Sequence, residues 1–462
     1  MYGSPIRLRS KGCRSAFRGL ALCVTTAWLA GCASGGPATL DMMPAPAAYE
    51  QQAAPFGIDD GVAEAGEVAV RDMLYVTNRA PAGADDEERF YSGERGYLLR
   101  AGAARIAFGD TDITWDEARE ISLLKNRPGS FPLRVHGLTE FGVLADSVSI
   151  FTPLDEAMAV ERREQQRFLE EVERRLAQSA VNDIFIYVHG YKVNFENPLL
   201  VASELWHFLG HEGAFVAFSW PSTPQRLAYM KDIETARVSA WALRKLVTFL
   251  ARESSARRIH IVGYSAGTRV VLTTLYELAL LYQNSSEAEI RAATRLGRVV
   301  LVGSDVDTGA FASYVLDGLL RVQEDLNLYV SPSDKALHIS ERVFAHRRLG
   351  EVLPGTLDER MRDFAAHEER LAFIDVEDAA NFDAGNGHAY FRKSPWVSSD
   401  VLMGLRYGLD PGARGLVRAT DSPIWRFPGD YLQRFDAALA AVNPGLRGGA
   451  RDAGPADPSG AP

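Results

Sequence analysis

The sequence predicts an α/β fold: a doubly wound, mostly parallel sheet with helices on both faces and an N-terminal β-rich extension. Three observations carry that prediction. From residue 183 onward, short runs are apolar at nearly every position: Ile184–Val188, Ala214–Phe218, Ile259–Val262, Val299–Val302, Leu326–Val330 and Leu371–Ile374. Strands read this way when helices cover a parallel sheet on both sides. Helical segments such as 233–252 and 268–282 separate several of these runs, which is the alternation of a doubly wound sheet. Finally, 462 residues with 47% hydrophobic and 24% charged positions supply a large core and exclude disorder over the whole length.

The first segment is an address label. Arg7, Arg9, Lys11, Arg14 and Arg18 precede an apolar run, Leu20–Ala30, too short to cross a bilayer that needs about 20 such residues. The run ends in Leu29-Ala30-Gly31-Cys32, which resembles the lipobox of bacterial lipoproteins. The expectation is a signal peptide over 1–31 and a lipid on Cys32. Ala33 follows the cysteine where sorting to the inner membrane would favour an aspartate, so the outer membrane of a two-membrane host is expected. Several acyl chains anchor firmly, at about 0.8 kcal/mol per buried CH₂.

Residues 32–67 are rich in Ala, Pro and Gly and read as a flexible tether. Residues 68–150 carry short strand-like runs, Met73–Val76, Arg105–Phe108 and Val148–Phe151, expected to extend the core as a β-rich region. Thr152-Pro153 reads as the start of a charged helix reaching about Ser179, with Phe168, Val172 and Leu176 on one stripe. The main α/β domain is expected over 151–440 and a disordered tail over 441–462.

The charge balance, 50 Lys plus Arg against 60 Asp plus Glu, argues against a nucleic-acid partner. The three cysteines all lie within the first 32 residues, so the rest of the chain has no cysteine nucleophile, disulfide or thiolate metal site. No Gly-x-Gly-x-x-Gly or Gly-x₄-Gly-Lys-Ser/Thr follows a strand, which removes the nucleotide-binding reading.

The informative stretch is Ile259-His260-Ile261-Val262-Gly263-Tyr264-Ser265-Ala266-Gly267-Thr268. Gly-x-Ser-x-Gly alone is a weak pattern, but here a buried strand leads into it and a helix leads out. That is the setting of a nucleophile elbow, whose glycines spare the neighbouring strand and helix a collision. Its bland alternative is a strand-to-helix turn with Ser265 as a cap. Acyl transfer needs two N–H donors where oxyanion charge develops. Ala266, next after the serine, and Tyr191, in the loop Val188-His189-Gly190-Tyr191, are the candidate donors. His189 precedes the serine and reads as a loop tie rather than a base.

A serine needs a base, and the base a carboxylate, in the chain order Ser, acid, His. Asp334 follows Leu328-Tyr329-Val330 and also reads as an N-cap of the next helix. Asp305 and Asp307, beyond the preceding strand, compete with it. His388, in Asn386-Gly387-His388-Ala389-Tyr390, lies beyond the last core strand and is the candidate base. His338, His346 and His367 read as surface or packing residues. Ser222–Glu234, with Tyr229 and Met230, reads either as a lid or as plain packing.

With these residues placed, the chain resembles the α/β-hydrolase superfamily, and within it the little-characterised bacterial esterase/lipase-like hydrolases that often occur as lipoproteins. The matching pieces are Tyr75-Val76-Thr77-Asn78-Arg79, Val188-His189-Gly190-Tyr191, Phe218-Ser219-Trp220-Pro221, the Gly263–Gly267 elbow, Asp305-Val306-Asp307, Leu328–Leu337 and Gly387-His388-Ala389-Tyr390. The resemblance spans about 72–410 and implies a Ser265–His388–Asp334 triad acting on a small ester or acyl substrate without a cofactor. Lys192 departs from it, standing where a small polar residue such as Asn is expected. Thioesterase, amidase, lipase and acyltransferase activities fit the same residues, and a non-catalytic envelope scaffold is the alternative from another class.

Overall fold

The computed structural model describes residues 38–51, 55–56, 68–84, 86, 89–110, 113–124, 127, 129–223, 229–352, 359–379, 387–419 and 422–443. The expected signal peptide, Cys32 and the tail beyond 443 lie outside them. Among the described residues no helix is long and apolar enough to cross a membrane.

The strands are β1 (Thr39–Asp41), β2 (Val70–Pro81), β3 (Tyr91–Phe108), β4 (Pro132–Val143), β5 (Asp183–Val188), β6 (Ala214–Ser219), β7 (Arg258–Tyr264), β8 (Leu296–Val302), β9 (Asp325–Val330), β10 (Leu371–Asp375) and β11 (Ile424–Arg426). They form one sheet in the order β1-β4-β3-β2-β6-β5-β7-β8-β9-β10-β11. From β2 to β11 neighbouring strands run parallel, whereas β2, β3, β4 and β1 pair antiparallel. The fold is the expected mostly parallel α/β sheet with an N-terminal β extension. β5, β6, β8 and β9 are buried along nearly their whole length, which is why their sequences are apolar at most positions.

Helices cover both faces. Arg162–Ala177, Tyr229–Glu253 and Gly267–Leu281 pack one core with Leu74, Ile186, Val216 and Leu301. Glu196–Phe208 and Pro395–Tyr407 pack the other with Tyr75, Phe185, Phe215 and Val300. The chain steps from β5 to β6 on one side and then to β7 on the other. That places a topological switch point between β5 and β7, where ligands bind at the carboxyl ends of such sheets.

The N-terminal expectations need correction. Residues 38–51, read as tether, are built into the body. β1 pairs with β4, and Met42, Met43, Ala45, Ala47 and Ala48 are buried. Their backbone is satisfied by distant groups: Ala38 N donates to Glu196, Met43 N to Glu204 (3.0 Å) and Ala48 N to Ser399 Oγ (3.0 Å). Small side chains and prolines suit a strap laid along a surface, and this lacks the periodicity by which regular elements are recognised. Val148–Phe151 is a turn, not a strand. The third strand of the extension is β4, few of whose positions are buried and whose polar residues hide its alternation. The expected helix from Thr152 is two, Leu154–Ala159 and Arg162–Ala177, and Pro153 rather than Thr152 starts the first.

Candidate functional site

Ser265 follows β7 directly, with φ +52°, a strained conformation for a residue with a Cβ. Its N–H donates to Val302 O (2.9 Å), and Thr268 N and Oγ1 donate to its carbonyl at 3.0 and 2.6 Å. The backbone of the turn is thus held on both sides. The helix Gly267–Leu281 starts here and directs its positive end at the serine. A Cβ on Gly267 would lie 2.2 Å from His189 O, so the loop after β5 touches the elbow. A Cβ on Gly190 would lie 3.0 Å from Ser265 Cβ and 3.5 Å from its Oγ. This puts the backbone leading to Tyr191 beside the hydroxyl. Lys192 then turns the chain with φ +65°. Asn is favoured over Lys in that region, which is the physical content of the expected Asn.

His388 is buried, with Nε2 2.8 Å from Ser265 Oγ and Nδ1 2.6 Å from Asp334 Oδ2. Asp334, at 0% exposure, divides its carboxylate. Oδ1 caps the helix Lys335–Phe344 by accepting from Ala336 N (3.0 Å) and Leu337 N (3.2 Å), leaving Oδ2 for the imidazole. The two roles weighed for Asp334, cap and acid partner, are therefore compatible. The Tyr264 ring lies 5.2 Å from that of His388. Gly303 (φ +58°) presents bare backbone to the imidazole, since a Cβ there would meet Nδ1 at 3.2 Å.

The competing residues are occupied elsewhere. Asp305 pairs with Arg269 (3.1 Å) and accepts from Ser340 Oγ. Asp307 caps the helix Thr308–Leu316 through Ala310 N (2.9 Å). His338 contacts Glu351, and His346 and His367 are exposed. His189 stacks on Trp220 (5.1 Å, 9°), and Trp220 Nε1 donates to His189 O at 2.7 Å. Burial, with the Arg79 guanidinium nearby, holds the His189 imidazole well below its usual range. It is a neutral loop tie. In Ser222–Glu234, residues 224–228 lie outside the described residues. Asp232 accepts from Thr223 N at 3.1 Å with both oxygens, and Met230 is exposed. His338, Glu341 and Glu351 bring atoms able to ligate a metal within 4.8 Å of one another, apart from His388.

The residue whose role sequence reasoning missed is Arg79. Fully buried, it donates to Ser219 Oγ (3.1 Å), Ser92 O (3.2 Å), Ser222 O (3.2 Å) and Val193 O (3.0 Å). One guanidinium thereby joins the loops after β5 and β6 to β3. Thr77 Oγ1 donates to Ser219 O (2.6 Å) and Asn78 Nδ2 to Ser239 Oγ (3.0 Å). The signal was present in Thr77-Asn78-Arg79, three polar residues closing a strand otherwise buried.

Comparison with known proteins follows this geometry. No curated protein matches. Among solved structures, esterase B from Lactobacillus rhamnosis, inhibited by a tributyrin phosphonate, is similar at 14% identity over 58% of this chain and 80% of that one. Its TM-score of 0.24 is too low to carry an argument. Residues 164–406 match the family described as alpha/beta hydrolase of unknown function (DUF900), and they include the elbow, Asp334 and His388. With that match over more than half its length, on a parallel sheet with its serine at the switch point, the chain belongs to this family of alpha/beta hydrolases.

Proposed function

We propose that the protein is a serine hydrolase of carboxylic esters, held at the cell envelope by lipid on Cys32. The observation that carries the reading is the unbroken line from Ser265 Oγ through His388 (2.8 and 2.6 Å) to the buried Asp334 carboxylate. Ser265 Oγ attacks the ester carbonyl carbon while His388 Nε2 accepts the hydroxyl proton. The carbonyl oxygen becomes an oxyanion beside the N–H groups of Ala266 and Tyr191. Asp334 fixes the tautomer of His388 and stabilises its imidazolium. Collapse breaks the bond to the alcohol, which leaves with the proton from His388. Water, deprotonated by the same imidazole, attacks the acyl-enzyme and restores Ser265.

A fluorophosphonate probe tests this directly. Labelling of the wild-type chain and none of Ser265→Ala is expected; an unlabelled, well-folded wild type would favour the scaffold reading. Esters, thioesters and amides of graded chain length, assayed beside Ser265→Ala, separate the esterase from a thioesterase, amidase or lipase, and acyl transfer to an added alcohol reveals an acyltransferase. For the address, acylation of Cys32 is read by mass spectrometry of the membrane-extracted protein, and the outer membrane is the expected fraction.

A further inference from the structure

Among the exposed apolar side chains of the described residues, four of the most exposed stand together in one short stretch of chain. Ile150, Phe151, Leu154 and Met158 are 93%, 77%, 75% and 78% exposed, all within nine residues. Ile150 and Phe151 form a turn, and Leu154 and Met158 stand four apart on the helix Leu154–Ala159, none of whose residues is buried. Single exposed hydrophobics need no explanation, but four together that bury nothing do. The protrusion is nonetheless held in place from behind. Leu99 N donates to Ser147 Oγ (3.0 Å), Ser149 N to Thr152 Oγ1 (3.0 Å), and Arg252 pairs with Asp146 (2.7 Å).

We propose that this protrusion inserts into the headgroup and acyl boundary of a phospholipid bilayer, the one to which the chain is anchored. The inference rests on the lipid anchor proposed at Cys32 and goes beyond it by assigning the face that meets the membrane. The argument is one of length. Because Ala38 is fixed to the body through Glu196, only residues 33–37 separate Cys32 from it, and so few residues reach at most about 20 Å. The membrane is therefore close. Ala38 enters β1, which pairs with β4 at Thr39 and Arg134, and the protrusion follows the other end of β4 at Val143. At about 3.3 Å per residue the two points lie roughly 30 Å apart along β4. Both lie at the β1–β4 edge of the sheet, the side from which the segment leading to Cys32 leaves the body. Residues 155–164 carry four carboxylates (Asp155, Glu156, Glu161, Glu164) against Arg162 and Arg163, so the contact does not call for anionic lipid.

The absence of cysteine from the body makes the test clean. In the membrane-extracted protein, Phe151→Cys and, separately, Met158→Cys receive a fluorophore, with Leu316→Cys, exposed on the helix Thr308–Leu316, as reference. Each is reconstituted into phosphatidylcholine vesicles carrying nitroxide-labelled acyl chains. Loss of most of the fluorescence at 151 and 158, with that at 316 retained, is expected. Equal quenching at all three positions overturns the proposal. So does disulfide cross-linking between two unlabelled copies of the Phe151→Cys variant without vesicles, which would make the patch a self-association surface. An alkaline wash after reading separates the two ideas. Chain that stays on vesicles unquenched keeps the anchor and loses the protrusion. Chain that washes off after quenching keeps the protrusion and loses the anchor.

Discussion

Asp334 holds His388 with one carboxylate oxygen and a helix with the other: Oδ2 lies 2.6 Å from Nδ1, while Oδ1 accepts two backbone N–H groups. Substitutions separate the two duties. Asp334→Asn keeps a good cap, so the melting temperature stays near that of wild type while kcat falls on the order of 10⁴ through the wrong tautomer. Asp334→Ala loses the cap as well, at a further cost of about 1 kcal/mol. Asp305→Asn does the reverse, lowering the melting temperature and leaving kcat within a few-fold. Ester hydrolysis and thermal melts on the three variants check this, and a large kcat loss in Asp305→Asn would reassign the acid.

Gly267→Ala should impair folding. Its Cβ would stand 2.2 Å from a backbone oxygen of the neighbouring loop, which cannot swing aside as a side chain does. A cost of at least about 1–3 kcal/mol is expected, read as lost soluble yield or a lower melting temperature. Gly429→Ala, with nothing within 4 Å, is the control and should change stability by under about 0.5 kcal/mol.

Arg79→Lys keeps the charge and loses the fork. An ammonium cannot reach Ser219, Ser92, Ser222 and Val193 together, so buried acceptors are stranded at roughly 1–3 kcal/mol each. Both the melting temperature and ester turnover are expected to drop, the second because Val193 closes the loop that carries Tyr191. Unchanged turnover in a destabilised variant would limit Arg79 to a structural role.

His189 gives a pH signature. A histidine kept neutral in the fold takes up its proton only on unfolding, so stability falls as pH drops below about 6.5, with a slope up to about 1.4 kcal/mol per pH unit. Burial raises the carboxyls of Asp232, Asp375 and Glu351, which act in the opposite sense and cancel when two chains are compared. Melts between about pH 7.5 and 5 should fall more steeply for wild type than for His189→Gln. Parallel curves would exclude His189 as the source.

Lys192→Asn should raise the melting temperature slightly. A left-handed conformation costs an ordinary side chain roughly 1–2 kcal/mol, part of which Asn avoids, so a gain of under about 1 kcal/mol is expected in denaturant titration.

Much of the fold could be read from residue order because the parallel strands are buried on both faces, which leaves an apolar signature independent of register. Ser265 was legible for a related reason, as a glycine-flanked turn joining a strand to a helix. Asp334 and His388 were legible by position, each lying beyond a strand's carboxyl end. What stayed hidden depends on partners far away in sequence. β4 and the three-residue β11 are strands mainly because a neighbour pairs with them. Arg79 looks like a surface charge until two loops and the strand β3 converge on it. The strap at 38–51 carries no local pattern, and its order comes from Glu196, Glu204 and Ser399.

That strap also bears on the timetable of assembly. Ala48 binds Ser399 and Ala47 binds Pro395 O, while Phe56 meets Phe435, so sites for the leading residues are supplied by nearly the last to be synthesised. A chain emerging amino end first cannot seat its own beginning until more than 300 further residues have appeared. Throughout synthesis the segment 38–51 therefore stays unseated, and maturation finishes by closing a clasp rather than by folding outward from it.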